Sequence, residues 1–406
     1  MSPTSTSSTE SSLAPYAMHV SQSRGRRYPE PDHPYRTAYA RDRDRVIHSR
    51  AFRRLEAKTQ VFTTRYSDHF RNRLTHTLEV AQIARTVAGA LALNSDLAEA
   101  LALVHDIGHP PFGHAGEHML DDLLRPYGAR FDHNLHALHI VEQFEQRYLA
   151  FPGLNLTFEV REGIIKHSRD YSAAEYPELA EYLLDQRPPL ESQLIDLVDE
   201  IAYNTADIDD GLEAGLLTID QILAGNPLFA GFYRKLDAAH PHARPQLKFN
   251  EALKRVLDFL ATDLIETTRQ NIASSGVNSV EDIRRQPALA GFPAAPRGLD
   301  PSSGVVVARM AAFGSAANGA IHQSKAFLFT ALYNHPSVVE DRDRGVSSLA
   351  DLFRHYMSHP ESLPPFYFEE ATRSPNEVIR ARVVSDYIAG MTDHFLLRTH
   401  GDLLGI

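Results

Sequence analysis

The sequence contains no cysteine. This absence excludes disulfide bonds and thiolate metal ligands, so any metal site must use histidine and carboxylate side chains. No apolar run approaches the roughly 18 residues that a membrane-spanning helix needs. The first twelve residues, MSPTSTSSTESS, lack the charged and apolar regions of a signal peptide. We therefore expect a cytoplasmic protein that has no membrane partner.

The composition is that of a globular protein with a sizeable core, with 43% hydrophobic and 23% charged residues in a chain of 406. The net charge of −11 argues against a general nucleic-acid binder. The charge is uneven, however, because residues 21–75 contain 14 Lys and Arg against 6 Asp and Glu. Such a segment can meet a polyphosphate, a nucleic acid or an acidic partner. The alternative is a self-neutralised solvated surface, since RDRDR at 41–45 alternates in sign.

Helical periodicity dominates the chain after a Ser/Thr-rich tail, residues 1–22, which we expect to be disordered. Strand-like alternation is scarce, and its best candidate is 303–313. Segments 274–304 and 359–375, rich in Gly, Pro and Ser, predict surface loops. The fold class is therefore predicted to be mainly α. The pattern predicts helices over 74–93, 94–108, 134–148, 159–166, 192–207, 219–228, 250–273, 326–333 and 377–398.

The stretch ALVHDIGHPPFGHAGEH at 102–118 concentrates four histidines, one aspartate and one glutamate. Pro110 and Pro111 forbid continuation of the preceding helix, so the histidine-rich part is a turn. Neighbouring residues on a helix point about 100° apart, but at a helix end both can face one metal ion. His105 and Asp106 are therefore predicted to form half of a metal site.

The remaining ligands must come from other helices, and His76 and Asp199 are the candidates. Two imidazoles and two carboxylates suit Mn, Mg, Fe, Ni or Zn, and with open positions they suit hydrolysis. Asp199, Tyr203 and Asp207 are spaced i, i+4, i+8 and line one helix face. Tyr203 and Asp207 would then reach a substrate beyond the metal. The alternative for such residues is a solvent-facing polar surface, which we accept for Asp209 and Asp210.

Eight collinear segments resemble the HD-domain superfamily of metal-dependent phosphohydrolases, and within it the deoxyguanosinetriphosphate triphosphohydrolase-like proteins, type 2 subfamily. The resemblance covers nearly all of residues 24–400. It implies an HD-domain helical fold with additional C-terminal helices. The segments are SRGR (23–26), RDRDRVIHSRAFRRLEAKTQVF (41–62), RNRLTHTLEVAQIAR (71–85), HDIGHPPFGHAGE (105–117), FDHN (131–134), EGIIKH (162–167), DEIAYNTADIDDG (199–211) and DYIAGMTD (386–393).

The resemblance also implies a domain organisation. After the tail, residues 23–72 would form an Arg-rich N-terminal segment of the catalytic unit. Residues 73–211 would form the HD metal-dependent phosphohydrolase core. Residues 212–406 would form a C-terminal helical region packed on that core.

The resemblance assigns roles to individual residues. His114 and Glu117 would act near the scissile phosphorus, and His109 and His133 would contact phosphates or assist proton transfer. Arg73 would bind phosphate. The sugar would meet Tyr203, whose position disfavours a ribose 2′-hydroxyl, and Asp207. The metal ligands would be His76, His105, Asp106 and Asp199.

One position departs from the family pattern. Some relatives carry a phosphate-binding lysine directly after the third-helix aspartate, where this chain has Glu200. The polyphosphate contact must then come from elsewhere. The candidates in the sequence are Arg53, Arg54, Lys58 and Lys166.

The resemblance implies hydrolysis of a deoxynucleoside triphosphate, dGTP or another dNTP, to deoxynucleoside and inorganic triphosphate with a divalent metal ion. It also implies a closed homo-oligomer, often a hexamer, with dNTPs as allosteric activators in some members. One alternative is an HD nucleotidase or phosphodiesterase, which needs the same ligands but no Arg-rich segment sized for a triphosphate. Another is a non-catalytic regulator that binds nucleotides or single-stranded nucleic acid, which fits the basic segment.

Overall fold

The computed structural model describes residues 10–61, 70–286 and 310–405. Within these ranges the chain forms helices and isolated β-bridges but no sheet, which confirms the mainly α class. No helix in them is long and apolar enough to cross a membrane. Most of the strand predicted at 303–313 lies outside the described residues. The α-helices are α1 Ala38–Ile47, α2 Arg50–Arg54, α3 Arg73–Ala90, α4 Ser95–Val104, α5 Gly113–Leu124, α6 His133–His139, α7 Phe158–Ile165, α8 Leu190–Glu213, α9 Ile219–Gly225, α10 Pro227–Ala239, α11 Pro245–Ser275, α12 Val280–Arg285, α13 Ser315–Leu328, α14 Pro336–Ser358, α15 Pro365–Thr372, α16 Glu377–Ala389 and α17 Asp393–Leu404.

Side-chain caps define the starts of the helices that carry the site. Asn72 caps α3 by accepting a hydrogen bond from the backbone N–H of Thr75, whose hydroxyl in turn accepts from the Asn72 N–H. Asn94 caps α4 by accepting from the N–H of Leu97. Such caps satisfy backbone donors that the first turn leaves free. They set the register at which His76 and His105 emerge from their helices.

The C-terminal region differs from the sequence prediction in several places. The helix α12 lies within the predicted loop 274–304, and α14 falls where no helix was predicted. The helix predicted over 377–398 is two helices, because the chain breaks at Gly390 and Thr392 caps α17. The segment predicted as a loop at 359–375 contains α15, which begins at Pro365. Proline suits the first turn of a helix, so here it marks a helix start and not a loop.

The N-terminal tail is ordered from residue 10 onwards, contrary to the prediction of disorder for 1–22. Ala17 and Met18 are buried. The Met18 N–H donates to the buried carboxylate of Glu191 at 2.9 Å, and the Met18 carbonyl accepts from the Asn94 side chain at 3.0 Å. These apolar and polar contacts hold the segment, although its composition is that of a flexible tail. Residues 1–9 lie outside the described residues.

The buried apolar side chains form two cores. The larger surrounds α3, α4, α7, α8 and α11. The smaller joins α5 to the C-terminal helices, with Leu120 and Leu124 against Leu349 and Phe353. The C-terminal region thus packs directly on the helix that follows the histidine-rich turn.

Candidate active site

Three side chains from different helices converge on one point. The ligand atoms of His76 on α3, His105 at the end of α4 and Asp199 on α8 all lie within 4.8 Å of one another. Nε2 of His76 lies 2.8 Å from Oδ1 of Asp199, and Nε2 of His105 lies 4.0 Å from the same oxygen. Oδ1 of Asp106 lies 3.6 Å from Nε2 of His105. The structure therefore brings together the four residues predicted as metal ligands.

The donor set fits a divalent cation. Nδ1 of His105 donates to the carbonyl oxygen of Ala102 at 2.6 Å, which leaves Nε2 as the nitrogen with a free lone pair. That Nε2 is buried and has no hydrogen-bond partner, although two carboxylates face it. Burial lowers the pKa of His105 and so favours the neutral form that binds metal. At metal sites a backbone carbonyl commonly accepts from the second ring nitrogen of a ligating histidine and so fixes the orientation of the ring.

A second cluster lies beside the first and centres on Glu117. Its carboxylate accepts from Nδ1 of His133 at 2.8 Å, from the His133 backbone N–H at 3.1 Å and from Nδ1 of His114 at 3.1 Å. Burial opposes ionisation, but the charge of His133 and these hydrogen bonds hold the pKa of Glu117 far below its usual range. The His114 side chain is 72% exposed, so its ring is open to a substrate.

Asp106 and His109 connect the two clusters. Oδ1 of Asp106 lies 3.1 Å from Nε2 of His109, and its Oδ2 accepts from the Arg73 guanidinium at 2.8 Å. The His109 ring stacks on His133 with centroids 4.1 Å apart. Burial, with the charges of Arg73 and His133, holds the pKa of His109 well below its usual value. His109 is therefore a neutral imidazole between the metal cluster and the Glu117 cluster.

The turn between α4 and α5 has a tight backbone. Phe112 and Gly113 both adopt left-handed conformations, with φ of 62° and 56°. A Cβ at Gly113 would lie 2.7 Å from the Arg73 guanidinium, and one at Gly108 would lie 2.0 Å from the His133 carbonyl oxygen. Glycine at both positions lets the turn lie against the side chain and the helix that complete the site.

A cavity of about 790 Å³ opens onto both clusters and extends past Tyr203 and Asp207 on α8. The Tyr333 hydroxyl donates to the Asp207 carboxylate. Burial raises the pKa of Asp207 to about 7, although the Tyr333 hydrogen bond opposes this. The volume is in the range of small-molecule sites, and the wall changes from metal-binding to aromatic along its length.

Several residues that line the cavity were not predicted, among them Lys325, Tyr333 and His167. Lys325 forms an ion pair with Glu200, and its ammonium lies 5.8 Å from the centre of the Tyr203 ring. Lys325, Phe329 and Tyr333 are spaced four residues apart, and all three line the cavity. This spacing places side chains on one face of a helix, so the sequence contained a signal for them. His167 lies 2.6 Å from Asp196, which raises its pKa to about 9 against the effect of burial.

The four cations predicted to bind the polyphosphate do not line the cavity. Arg54 donates to the Gly390 carbonyl at 2.8 Å, and Lys58 donates to the carbonyls of His109 and Ala389. Arg53 is exposed and donates to the His48 carbonyl at 3.3 Å. Lys166 is turned inwards, where it donates to the Glu162 carboxylate and to the carbonyls of Leu183 and Gln186, each at 2.8 Å. Its charge neutralises a buried carboxylate, so the expectation that it meets the polyphosphate is not supported.

Comparison with known families agrees with this architecture. The HD domain family matches residues 73–204, and the phosphohydrolase-associated domain matches residues 311–402. The first range contains every residue of the two histidine clusters, and the second contains the C-terminal helices that pack on α5. Fold and site together define an HD phosphohydrolase, a class whose members bind divalent metal ions.

Similar proteins cover nearly the whole chain. Three examples share the name deoxyguanosinetriphosphate triphosphohydrolase-like protein. That of Ralstonia pickettii is 45% identical over 98% of this chain and 96% of its own length. Those of Bordetella pertussis and Paracoccus denitrificans are 44% and 42% identical, over 96% and 97% of this chain and 95% and 100% of their own lengths. The chain therefore belongs to the deoxyguanosinetriphosphate triphosphohydrolase-like family.

Proposed function

We propose that this protein hydrolyses deoxynucleoside triphosphates to deoxynucleoside and inorganic triphosphate in a metal-dependent reaction. The observation that carries the proposal is one cavity lined by metal ligands, by a histidine–carboxylate cluster and, at the other end, by aromatic and cationic side chains. A nucleotide needs these three surfaces for its reacting phosphorus, its sugar and its phosphate charge. The names of the relatives support the same activity.

His76, His105, Asp106 and Asp199 would hold the metal ion, with Mn and Mg as the first choices and Fe, Ni or Zn as others that the donor set admits. A divalent cation at this position supplies Lewis acidity, which neutralises phosphoryl charge and acidifies water. Arg73 holds Asp106 in place through its 2.8 Å bond. Arg73, which is not itself a ligand, therefore helps to fix the position of the Asp106 carboxylate.

The Glu117 cluster carries out the proton transfer of the reaction. Glu117 binds Nδ1 of His114 and so directs the opposite nitrogen, Nε2, away from itself. An exposed imidazole whose other nitrogen is fixed by a carboxylate suits general acid–base catalysis. Water adds to the α-phosphorus, the bond from phosphorus to the 5′-oxygen breaks, and a proton reaches the leaving 5′-oxygen. The triphosphate leaves intact.

The opposite end of the cavity holds the sugar and the phosphate charge. Tyr203 would pack on a deoxyribose and leave no room for a 2′-hydroxyl, while Asp207 would accept a hydrogen bond from the sugar. Lys325 brings a cation to Glu200, the position where some relatives carry a lysine. We assign the polyphosphate contact to Lys325 in place of the four sequence candidates, Arg53, Arg54, Lys58 and Lys166.

A product assay tests the proposal. The purified protein is incubated with mixed dNTPs and Mn²⁺ or Mg²⁺, and nucleoside, monophosphate, pyrophosphate and triphosphate are separated. Deoxynucleoside with intact triphosphate is the expected result. Monophosphate products would indicate an HD nucleotidase or phosphodiesterase, and no turnover with any metal would indicate a binding regulator. Equal turnover of ribonucleotides would contradict the role of Tyr203.

A further inference from the structure

Residues of the two ranges 41–61 and 386–393 meet directly behind the histidine-rich turn. Lys58 lies in the first segment and is buried. Its ammonium donates to the carbonyl oxygen of His109 at 2.5 Å and to that of Ala389 at 3.1 Å. One cation thus joins the turn to the end of α16, although 331 residues separate Lys58 from Ala389.

Asp393 makes the complementary contacts with its carboxylate. Oδ2 accepts from the backbone N–H of Thr59 at 2.7 Å, and Oδ1 accepts from the backbone N–H of Phe112 at 3.2 Å. Asp393 is buried, so these N–H groups satisfy a carboxylate that water cannot reach. The N-terminal segment, the turn and the C-terminal region are therefore held together by two buried charges bonded to backbone.

Asp393 holds the turn at Phe112, where the backbone is left-handed. Phe112 has a positive φ, which is unfavourable for a non-glycine residue and persists only where the surroundings enforce it. Asp393 accepts the hydrogen bond from the Phe112 N–H. The Phe112 ring lies against Gly345 of α14, where an added Cβ would lie 2.5 Å from a ring carbon. His109 precedes Phe112 and His114 follows it, so both imidazoles move if this backbone moves.

We propose that Lys58 and Asp393 are positioning residues, which set the backbone of the 109–113 turn and so place His109 and His114 against the substrate. The kinetic part of this proposal rests on the proposed function. It gives the DYIAGMTD segment a part in the site, although Ala389 and Asp393 do not line the cavity themselves.

The test compares Lys58→Met and Asp393→Asn with Lys248→Met. Lys248 is also a buried lysine, but it binds Asp237 and the Pro241 carbonyl away from the cavity, so its loss controls for removing a buried ammonium. We expect kcat per folded molecule to fall by roughly 10- to 100-fold in the first two variants, as for displacements of about 1 Å at a reacting group. The Mn²⁺ dissociation constant should change less than about threefold. The reason is that His76, His105 and Asp199 lie on other helices and do not move with the 109–113 turn.

A second readout does not depend on turnover. Amide hydrogen exchange at Phe112 should be at least about tenfold faster in Lys58→Met and Asp393→Asn and unchanged in Lys248→Met. If the wild type does not hydrolyse dNTPs, the proposed function fails while this exchange measurement still decides the positioning. If Lys58→Met does not fold, Gly345→Ala displaces the Phe112 ring from the other side and takes its place. Wild-type kcat and wild-type Phe112 exchange in these variants would overturn the proposal.

Discussion

The Tyr333 hydroxyl donates a hydrogen bond to the Asp207 carboxylate, which lies 126 residues earlier in the chain. The bond connects the end of the π-helical segment Phe329–Tyr333 to α8, across the part of the cavity assigned to the sugar. Because burial raises the pKa of Asp207 to about 7, this carboxyl group changes protonation state near neutral pH.

Tyr333→Phe should shift the pH dependence of substrate binding. The ionised Asp207 is the better hydrogen-bond acceptor for a sugar hydroxyl, so KM for a dNTP should rise as the pH falls through about 7. The Tyr333 hydrogen bond stabilises the ionised form and lowers the pKa of Asp207. Its removal should therefore move the midpoint to higher pH. KM measured between about pH 6 and 9 for both proteins tests this, and superimposable curves would contradict it.

Loss of a metal ligand should abolish metal-dependent turnover without unfolding the protein. In His105→Ala and Asp106→Ala we expect no detectable activity and reduced bound metal, measured by elemental analysis, with an unchanged circular dichroism spectrum. Asp122→Ala is the matched control, because Asp122 is an exposed carboxylate paired with Arg125. Full activity in either ligand variant would exclude that residue from the metal site.

Removal of the exposed imidazole should slow chemistry more than binding. His114→Ala should lower kcat by roughly 100-fold or more, as expected for loss of a general acid or base. Glu117→Gln should also lower kcat, because Glu117 orients the His114 ring. His322→Ala, at an exposed histidine that does not line the cavity, serves as control. An unchanged kcat in His114→Ala would remove His114 from the mechanism.

The cation at Glu200 should act on affinity. Lys325→Gln should raise KM for a dNTP by roughly tenfold or more, the effect of losing a hydrogen bond from a charged donor. We expect a smaller change in kcat, since Lys325 lies at the Tyr203 end of the cavity. Lys235→Gln, at an exposed lysine on α10, is the control. A KM equal to that of the wild type would show that Lys325 does not bind the polyphosphate.

The helices that carry the metal ligands, and the ligands themselves, could be predicted because their signals are local. Asn94, the apolar spacing of α4 and Gly108 mark one helix, and His105-Asp106 follows from where that helix ends. His76 and Asp199 were found because their helices are strongly periodic and the family resemblance fixes the ligand positions. Short caps and periodic apolar faces are decided within a few residues, so they can be read without the tertiary structure.

Other features depend on which way a side chain turns in the folded protein. Lys166 and Lys325 look alike as isolated cations, yet one neutralises buried Glu162 and the other enters the cavity. The break at Gly390 was missed because the apolar spacing continues across it. The oligomeric state, activation by dNTPs and binding of single-stranded nucleic acid stay predictions, since each depends on surfaces between molecules.

The core shared by α5 and the C-terminal helices decides which fragments of this chain could exist alone. A chain shortened after residue 211 would leave Leu120, Leu124 and Phe112 without the side chains of α14 that now cover them. We expect such a fragment to expose a contiguous apolar surface and to aggregate. We therefore expect the two matched regions, 73–204 and 311–402, to fold together, and an exchange of either region between relatives to require exchange of the side chains on both sides of this core.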